Sequence, residues 1–246
     1  MAMLAVAFFV AALLYASVGF GGGSTYTALL ALGEVDYRLL PLVSLSCNIV
    51  VVAGSTIRFA RARVTPWRDA VLVTAAAAPA AFFGGLTPID ETTFLGILGA
   101  CLVLTGLSLL LPLREESVVA PARWARAMPL VAMPLGYLAG LVGIGGGIFL
   151  APVLHLARWH GARAIAATAS LFILVNSLSG LGGQVLKGGA GRLGAAVDFG
   201  LPLLVAVAVG GQIGNLLALK YLPQRWIRLG TAALTAWVGM RLLLAL

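Results

Sequence analysis

Charge is scarce in this chain, and negative charge scarcest: 10% of its 246 residues are Asp, Glu, Lys or Arg, and eight of them are acidic. All eight, Glu34, Asp36, Asp69, Asp90, Glu91, Glu115, Glu116 and Asp198, fall in predicted loops or at predicted helix ends. That excludes a buried acidic proton relay and an acidic cation site of the kind that marks membrane ion pathways. Cys47 and Cys101 are the only cysteines and His155 and His160 the only histidines, with no cluster at metal-ligand spacing. No metal is expected. Both cysteines sit in apolar runs and read as small buried residues, not as a disulfide. No P-loop or dinucleotide pattern opens a helix, so no nucleotide or other cofactor is implied.

Apolar mass takes the place of charge. Hydrophobic residues make up 61% of the chain and mean hydropathy is +1.05, against roughly 45–50% apolar and about 25% charged residues in soluble domains. The chain reads as an integral membrane protein. Apolar runs lie near residues 2–18, 20–32, 39–57, 70–86, 94–111, 128–142, 146–157, 164–182, 198–219 and 226–245. Most approach the ~20 residues that cross a bilayer, but 20–32 and 146–157 do not. None alternates polar and apolar as a barrel strand must, so the expected fold class is all-α. The first run, MAMLAVAFFVAALLYASVGF, has no basic leader and no obvious cleavage site, and is expected to remain as a helix.

A net charge of +8 invites a nucleic-acid partner, but the placement of the charges accounts for it otherwise. Let each short segment turn back to the side from which its preceding helix came. Arg58, Arg61, Arg63, Arg68, Arg114, Arg123, Arg126, Arg158, Arg163, Lys220, Arg225 and Arg228 then lie opposite the N-terminus. Arg38, Lys187, Arg192 and Arg241 lie on its own side. Cation-rich loops stay in the cytoplasm, so both termini of this inner-membrane protein are expected outside. Topology and anionic lipid headgroups absorb the basic excess, and no nucleic acid is called for. The expected partners are the bilayer and a small anion, with homo-oligomerisation left open.

Glycine is concentrated in two places. GFGGGSTYTALLAL begins at Gly19 and GIGGGIFLAPVLHL at Gly143, so that Gly19, Gly21, Gly22 and Gly23 match Gly143, Gly145, Gly146 and Gly147 at a spacing of 124. Further on, CNIVVVAG (47–54) matches VNSLSGLG (175–182) at 128, pairing Asn48 with Asn176; Gly84 against Gly214 follows in looser register. Each half therefore reads as a glycine-broken helical hairpin plus three transmembrane helices. Three is odd, so the second half starts on the opposite side. The expectation is one membrane domain built as an inverted repeat, with a first repeat over 1–113, a cytoplasmic linker over 114–127 and a second repeat over 128–246.

Two glycine-rich motifs in a small chain with Arg-rich inner loops and two similar halves resemble the sulfite exporter TauE/SafE family over essentially the whole sequence. The resemblance implies a secondary transporter, expected to export small anions such as sulfite, sulfoacetate or another organosulfonate. On the residues alone, a membrane-embedded enzyme acting on a small or lipid substrate and a passive anion channel stay as alternatives. The enzyme lacks an identifiable nucleophile, base or metal set.

The glycine breaks carry chemistry of their own. A helix that restarts at about Ser24 presents amide groups without internal partners and the positive end of its dipole, which is a site for an anion. Gly21, Gly22 and Gly23, and Gly145, Gly146 and Gly147, let backbone approach a ligand. Ser24 and Thr25 can cap the helix or donate hydroxyls; Ile148 and Phe149 replace them in the second half. In the spans that follow, Ser44 and Asn48 share a helix face with Ser46 about half a turn away, and Thr168, Ser170, Asn176 and Ser177 occupy the matching region. Ser46, Asn48, Ser170 and Asn176 complete the candidate site, because an Asn at membrane depth is costly unless paired. Close helix packing for the glycines, and interhelical hydrogen bonding for the Asn residues, are the competing roles. Gln212, Asn215 and His155 are weaker candidates.

Overall fold

A computed structural model describes residues 1–110, 123–217 and 224–246. Within them every regular element is helical, as expected of a chain whose backbone polar groups must be satisfied inside each segment in lipid. The helices are α1 (Ala2–Val18), α2 (Gly23–Leu32), α3 (Leu40–Arg61), α4 (Trp67–Leu86), α5 (Glu91–Leu110), α6 (Met128–Val142), α7 (Gly147–Leu156), α8 (Ala162–Leu217) and α9 (Gln224–Leu244), with a 3-10 turn over Arg123–Ala127. Each apolar run read from the sequence finds its helix. Five of the helices are long and apolar enough to cross a membrane. The protein is a multi-pass membrane protein. Of the linker expected over 114–127, the part before Arg123 lies outside the described residues, as does Lys220.

The structure joins two expected spans, 164–182 and 198–219, into the single element α8. At ~1.5 Å per residue, its 56 residues would reach ~84 Å, far beyond a ~30 Å hydrocarbon layer. It does not run straight. Gly189, at φ 68° and ψ −179°, divides it into an arm over 162–188 and an arm over 190–217, so helix replaces the expected loop on both sides of one glycine.

Neighbouring helices approach to backbone contact along glycines. A methyl group at Gly84 would overlap the Tyr137 carbonyl, and one at Gly140 the Ala81 carbonyl, which fixes α4 against α6. Gly214 and Gly210 meet the Leu13 and Phe9 carbonyls in the same way, fixing the second arm of α8 against α1. Gly99 and Gly239 face each other between α5 and α9. Lipid tails are as apolar as leucine, so close packing of small residues is what holds such helices together. Cys47 and Cys101 are buried and unpaired.

Candidate functional site

The two glycine motifs fold alike at their ends and differ at one glycine between, Gly145 being left-handed (φ 82°) where Gly21 is not. α1 ends on Gly19 and α6 on Gly143, each in the left-handed region at φ 86° and 80°. α2 and α7 then start behind left-handed Gly22 (φ 78°) and Gly146 (φ 76°), and each is 10 residues long. Non-glycine residues reach this region at ~1–2 kcal/mol each, and space is short as well. A methyl at Gly22 would sit 3.0 Å from the Tyr26 ring and 3.1 Å from Tyr15, and one at Gly146 would sit 2.9 Å from the Ala139 methyl. The new helices begin at Gly23 and Gly147, one residue earlier than read from the sequence at the first break.

The first amides of each new helix precede its first intrahelical bond. That bond is Tyr26 N–H to Gly22 O at 2.9 Å in α2; in α7, Phe149 and Leu150 N–H both donate to Gly146 O at 3.1 Å. The amides of Gly23, Ser24 and Thr25, and of Gly147 and Ile148, are thus left for other partners. Ser24 and Thr25 do not cap α2. Thr25 shares a 2.8 Å hydrogen bond with the Tyr15 hydroxyl, while Ser24 is buried with no partner for its Oγ.

The two breaks touch. A methyl on Gly23 would overlap both the Ile144 carbonyl and the Asn48 amide; one on Gly21 would lie 2.5 Å from Asn48 Oδ1, and one on Gly145 2.8 Å from Asn48 Nδ2. Asn48 therefore stands between the breaks, and its Nδ2 donates to Ile144 O at 3.2 Å. Across the molecule Ser170 donates to Gly19 O. Each helix that follows a hairpin thus reaches the other hairpin's break. Ser44, one turn before Asn48, donates to Gly23 O at 3.2 Å.

Of the expected residues, Gly21, Gly22, Gly23, Ser24, Thr25, Asn48, Gly145, Gly146, Gly147 and Ser170 line or adjoin the two breaks. Gly147 packs on Ile173. Ser46 lies on the other face of α3, its hydroxyl donated back to Leu42 O at 2.7 Å, and Ser44 stands where Ser46 was expected. Asn176 is fully buried, and neither amide atom has a hydrogen-bond partner. Ser177 Oγ, also unpartnered, would be 3.1 Å from a methyl on Gly145. Ser24 Oγ, Tyr26 OH, Asn48 Oδ1 and Ser177 Oγ at the breaks, with both amide atoms of Asn176 next to Ser177 in the chain, make six buried polar groups without a protein partner. Leaving such groups unmatched is costly, at ~1–3 kcal/mol each.

Some participants escaped the sequence reading. Tyr26, fully buried and stacked on Phe8 at 4.8 Å, stands inside the first motif but was passed over as an aromatic. Arg58, counted only as a loop cation, is half-buried and donates to Asn215 O (3.3 Å) and Ala16 O (3.4 Å). Its neighbour Phe59 lies over Gly19. In the other half buried Gln184 donates to Gly140 O (3.0 Å) and Leu141 O (3.2 Å). Ala16 and Gly140 are 124 apart, the spacing of the glycine motifs. His155 lies half-buried in the last turn of α7, while His160 binds Asp69 at 3.0 Å on the surface. Among the described residues no group of His, Cys, Asp and Glu could hold a metal ion.

A bundle of apolar helices broken at two matched points, with partnerless polar groups gathered at the breaks, has the build of a membrane transporter. The comparison with known proteins gives the particular family. The model of the sulfite exporter TauE/SafE family matches residues 4–242, and the chain belongs to that family. It is 32% identical to "Probable membrane transporter protein y4hK" of Sinorhizobium fredii, over 98% of this chain and 97% of that protein. It is 22% identical to "Probable membrane transporter protein MJ0441" of Methanocaldococcus jannaschii, over 89% and 88%. "Sulfite exporter TauE/SafE family protein 1" of Arabidopsis thaliana shares 36% identity over 38% of this chain and 20% of its own length. No solved structure matches the chain significantly.

Proposed function

We propose that this membrane transporter exports a small oxyanion, sulfite or an organosulfonate such as sulfoacetate, and binds it between the two glycine breaks near the bilayer midplane. The observation that carries the reading is the gathering of free helix-start amides where the breaks touch, with six unpartnered buried polar groups at the breaks or next to them in the chain. An anion supplies acceptors for the amides of Gly23, Ser24, Gly147 and Ile148, and for the Ser24, Ser177 and Asn176 donors. No carboxylate competes with it there. Backbone amides and neutral donors replace the anion's water without locking it in place, as a carrier requires.

The two halves are read as an inverted repeat. Supporting this are the matched left-handed glycines at 19 and 143 and at 22 and 146, the crossed contacts of Asn48 and Ser170, and the pairs Gly84 with Tyr137 and Gly214 with Leu13, which are the same contact seen from either half. Rocking of one half against the other about the breaks would give alternating access. In this reading the cell membrane holds the protein with both termini outside. Cysteine placed at position 61 is then labelled only from the cytoplasmic side, and buried Cys47 and Cys101 add little background.

Titration of the purified protein with sulfite, sulfoacetate, acetate and phosphate tests the substrate class. Saturable binding of the sulfur oxyanions, lost in Asn176→Ala with the protein still monodisperse, is the expected result. Binding of none of them, or equal binding by the variant, would place the site elsewhere.

A further inference from the structure

We infer that a second anion site lies at the molecular face bearing Arg38, Lys187 and Arg192: a vestibule through which the substrate passes between the breaks and the water on that side. The inference rests on the anion reading above and extends it to a place that no motif marks.

A cavity of about 340 Å³ opens there, and Arg38, Lys187 and Arg192 are all in its wall. The three come from the α2–α3 connection and from either side of the Gly189 kink, so only the folded chain brings them together. No carboxylate lines the cavity, and among the described residues none of the three is in an ion pair. Asp36 accepts the Arg38 backbone N–H at 2.9 Å; with Glu91 it acts on the Arg38 guanidinium from outside the cavity. Lys187 gives one proton to Thr87 O at 3.1 Å, and an ammonium has three. Arg38 Nε donates to the Tyr37 hydroxyl at 3.2 Å, which leaves its terminal nitrogens free. Three cations focused at one mouth concentrate anions there.

Residues of the cavity wall also touch the end of α6 and the second break. Leu141 and Gln184 form part of that wall, and Gln184 is the residue tied to the last carbonyls of α6. Pro41, also in the lining, would lie 2.5 Å from a methyl on Gly143. At the corresponding place in the first half Phe59 lies over Gly19, and the Arg58 guanidinium is engaged by Ala16 O and Asn215 O.

Size and lining restrict the occupant. At ~30 Å³ per water, the volume holds about eleven waters, more than a bare three-oxygen anion needs. Phe94, 5.6 Å from the Tyr37 ring, supplies an apolar part of the wall. The fit is to a partly hydrated oxyanion or to a sulfonate carrying a short organic group.

The test is a calorimetric titration of the full chain with ethanesulfonate, first in nonionic detergent. Wild type should bind two equivalents. Lys187→Gln combined with Arg192→Gln should weaken one of them about tenfold, the loss of roughly one charge-assisted hydrogen bond. Asn176→Ala should remove the other. Arg241→Gln, a cation outside the cavity, should change neither. Unaltered binding by the double variant overturns the vestibule while the central site stands or falls by Asn176→Ala alone. An equal loss in Arg241→Gln also overturns it, because diffuse surface charge would then be the cause. Repeating the titration in phosphatidylcholine nanodiscs with and without phosphatidylglycerol separates a free anion from a lipid headgroup. Persistence of both equivalents with phosphatidylglycerol supports the vestibule; disappearance of the cation-dependent one makes it a headgroup site and overturns the passage role.

Discussion

At the first break the new helix opens on Gly23, Ser24, Thr25 and Tyr26; at the second the same four places hold Gly147, Ile148, Phe149 and Leu150. The backbones agree at the ends of the breaks, with φ of 86° and 78° at Gly19 and Gly22 against 80° and 76° at Gly143 and Gly146, and differ between them, where Gly145 is left-handed at φ 82° and Gly21 is not. What the two tips have in common is therefore what the backbone can offer, namely free amides and dipole ends. What separates them is the side chains: hydroxyls and a buried tyrosine at one, aliphatic and aromatic groups at the other. In the proposed function, helix-start amides at both tips combined with side-chain polarity at one would suit an anion with a polar and an apolar end. It also divides two tasks of glycine in this fold. At Gly22 and Gly146 the left-handed conformation is needed, whereas at Gly84, Gly140, Gly210 and Gly214 close helix approach alone excludes a side chain.

The comparison can be broken most forcefully at the shared backbone. Gly22→Leu and Gly146→Leu each combine the ~1–2 kcal/mol of a left-handed residue with ~1–3 kcal/mol of overpacking. Both should abolish anion binding and lower the thermal unfolding midpoint in detergent by a similar amount. A benign Gly146→Leu beside a damaging Gly22→Leu would show that the two tips are not equivalent.

The asparagines separate stability from binding. Asn48 holds the Ile144 carbonyl, so Asn48→Ala should destabilise by ~1 kcal/mol and weaken binding together. Asn176 has no protein partner; Asn176→Ala should leave the unfolding midpoint unchanged or raised while binding falls at least tenfold. Destabilisation by Asn176→Ala with intact anion affinity would make it a packing residue.

A smaller effect is expected from the hydroxyl of the first tip. Ser24→Ala should weaken oxyanion binding by ~1 kcal/mol, about fivefold, at no loss of stability because Ser24 Oγ donates to nothing in the protein. The converse change, Ile148→Ser, tests whether polarity at the second tip can substitute for it, read as partial recovery in the double variant. Smallest of all is Tyr15→Phe, which deletes the neutral 2.8 Å hydrogen bond to Thr25 and should shift the unfolding midpoint slightly while leaving anion affinity within a factor of about three. A large affinity loss in Tyr15→Phe would assign that hydroxyl to the ligand.

The sequence alone was enough to locate the apolar helices and both glycine breaks. In lipid each segment must satisfy its own backbone, so apolar length and interrupting glycines are nearly sufficient signals. It also named most of the residues that line or adjoin the two breaks, since the glycines and their following polar residues are contiguous in the chain. Ser46 was chosen over Ser44 because composition gives the helix face but not which face turns to a neighbour. Gly189 was hidden in a polar stretch, KGGAGR, that reads as a loop until both arms are seen to continue as helix.

Tertiary structure alone decided which elements meet. That Asn48 reaches the second break and Ser170 the first, that Arg58 and Gln184 take carbonyls 124 residues apart, and that Arg38, Lys187 and Arg192 share one cavity are all contacts across long stretches of chain. Helix pairing in a membrane is governed by close fit between surfaces of nearly equal hydrophobicity, and fit of that kind is a property of assembled helices, which no pattern along one strand of sequence spells out.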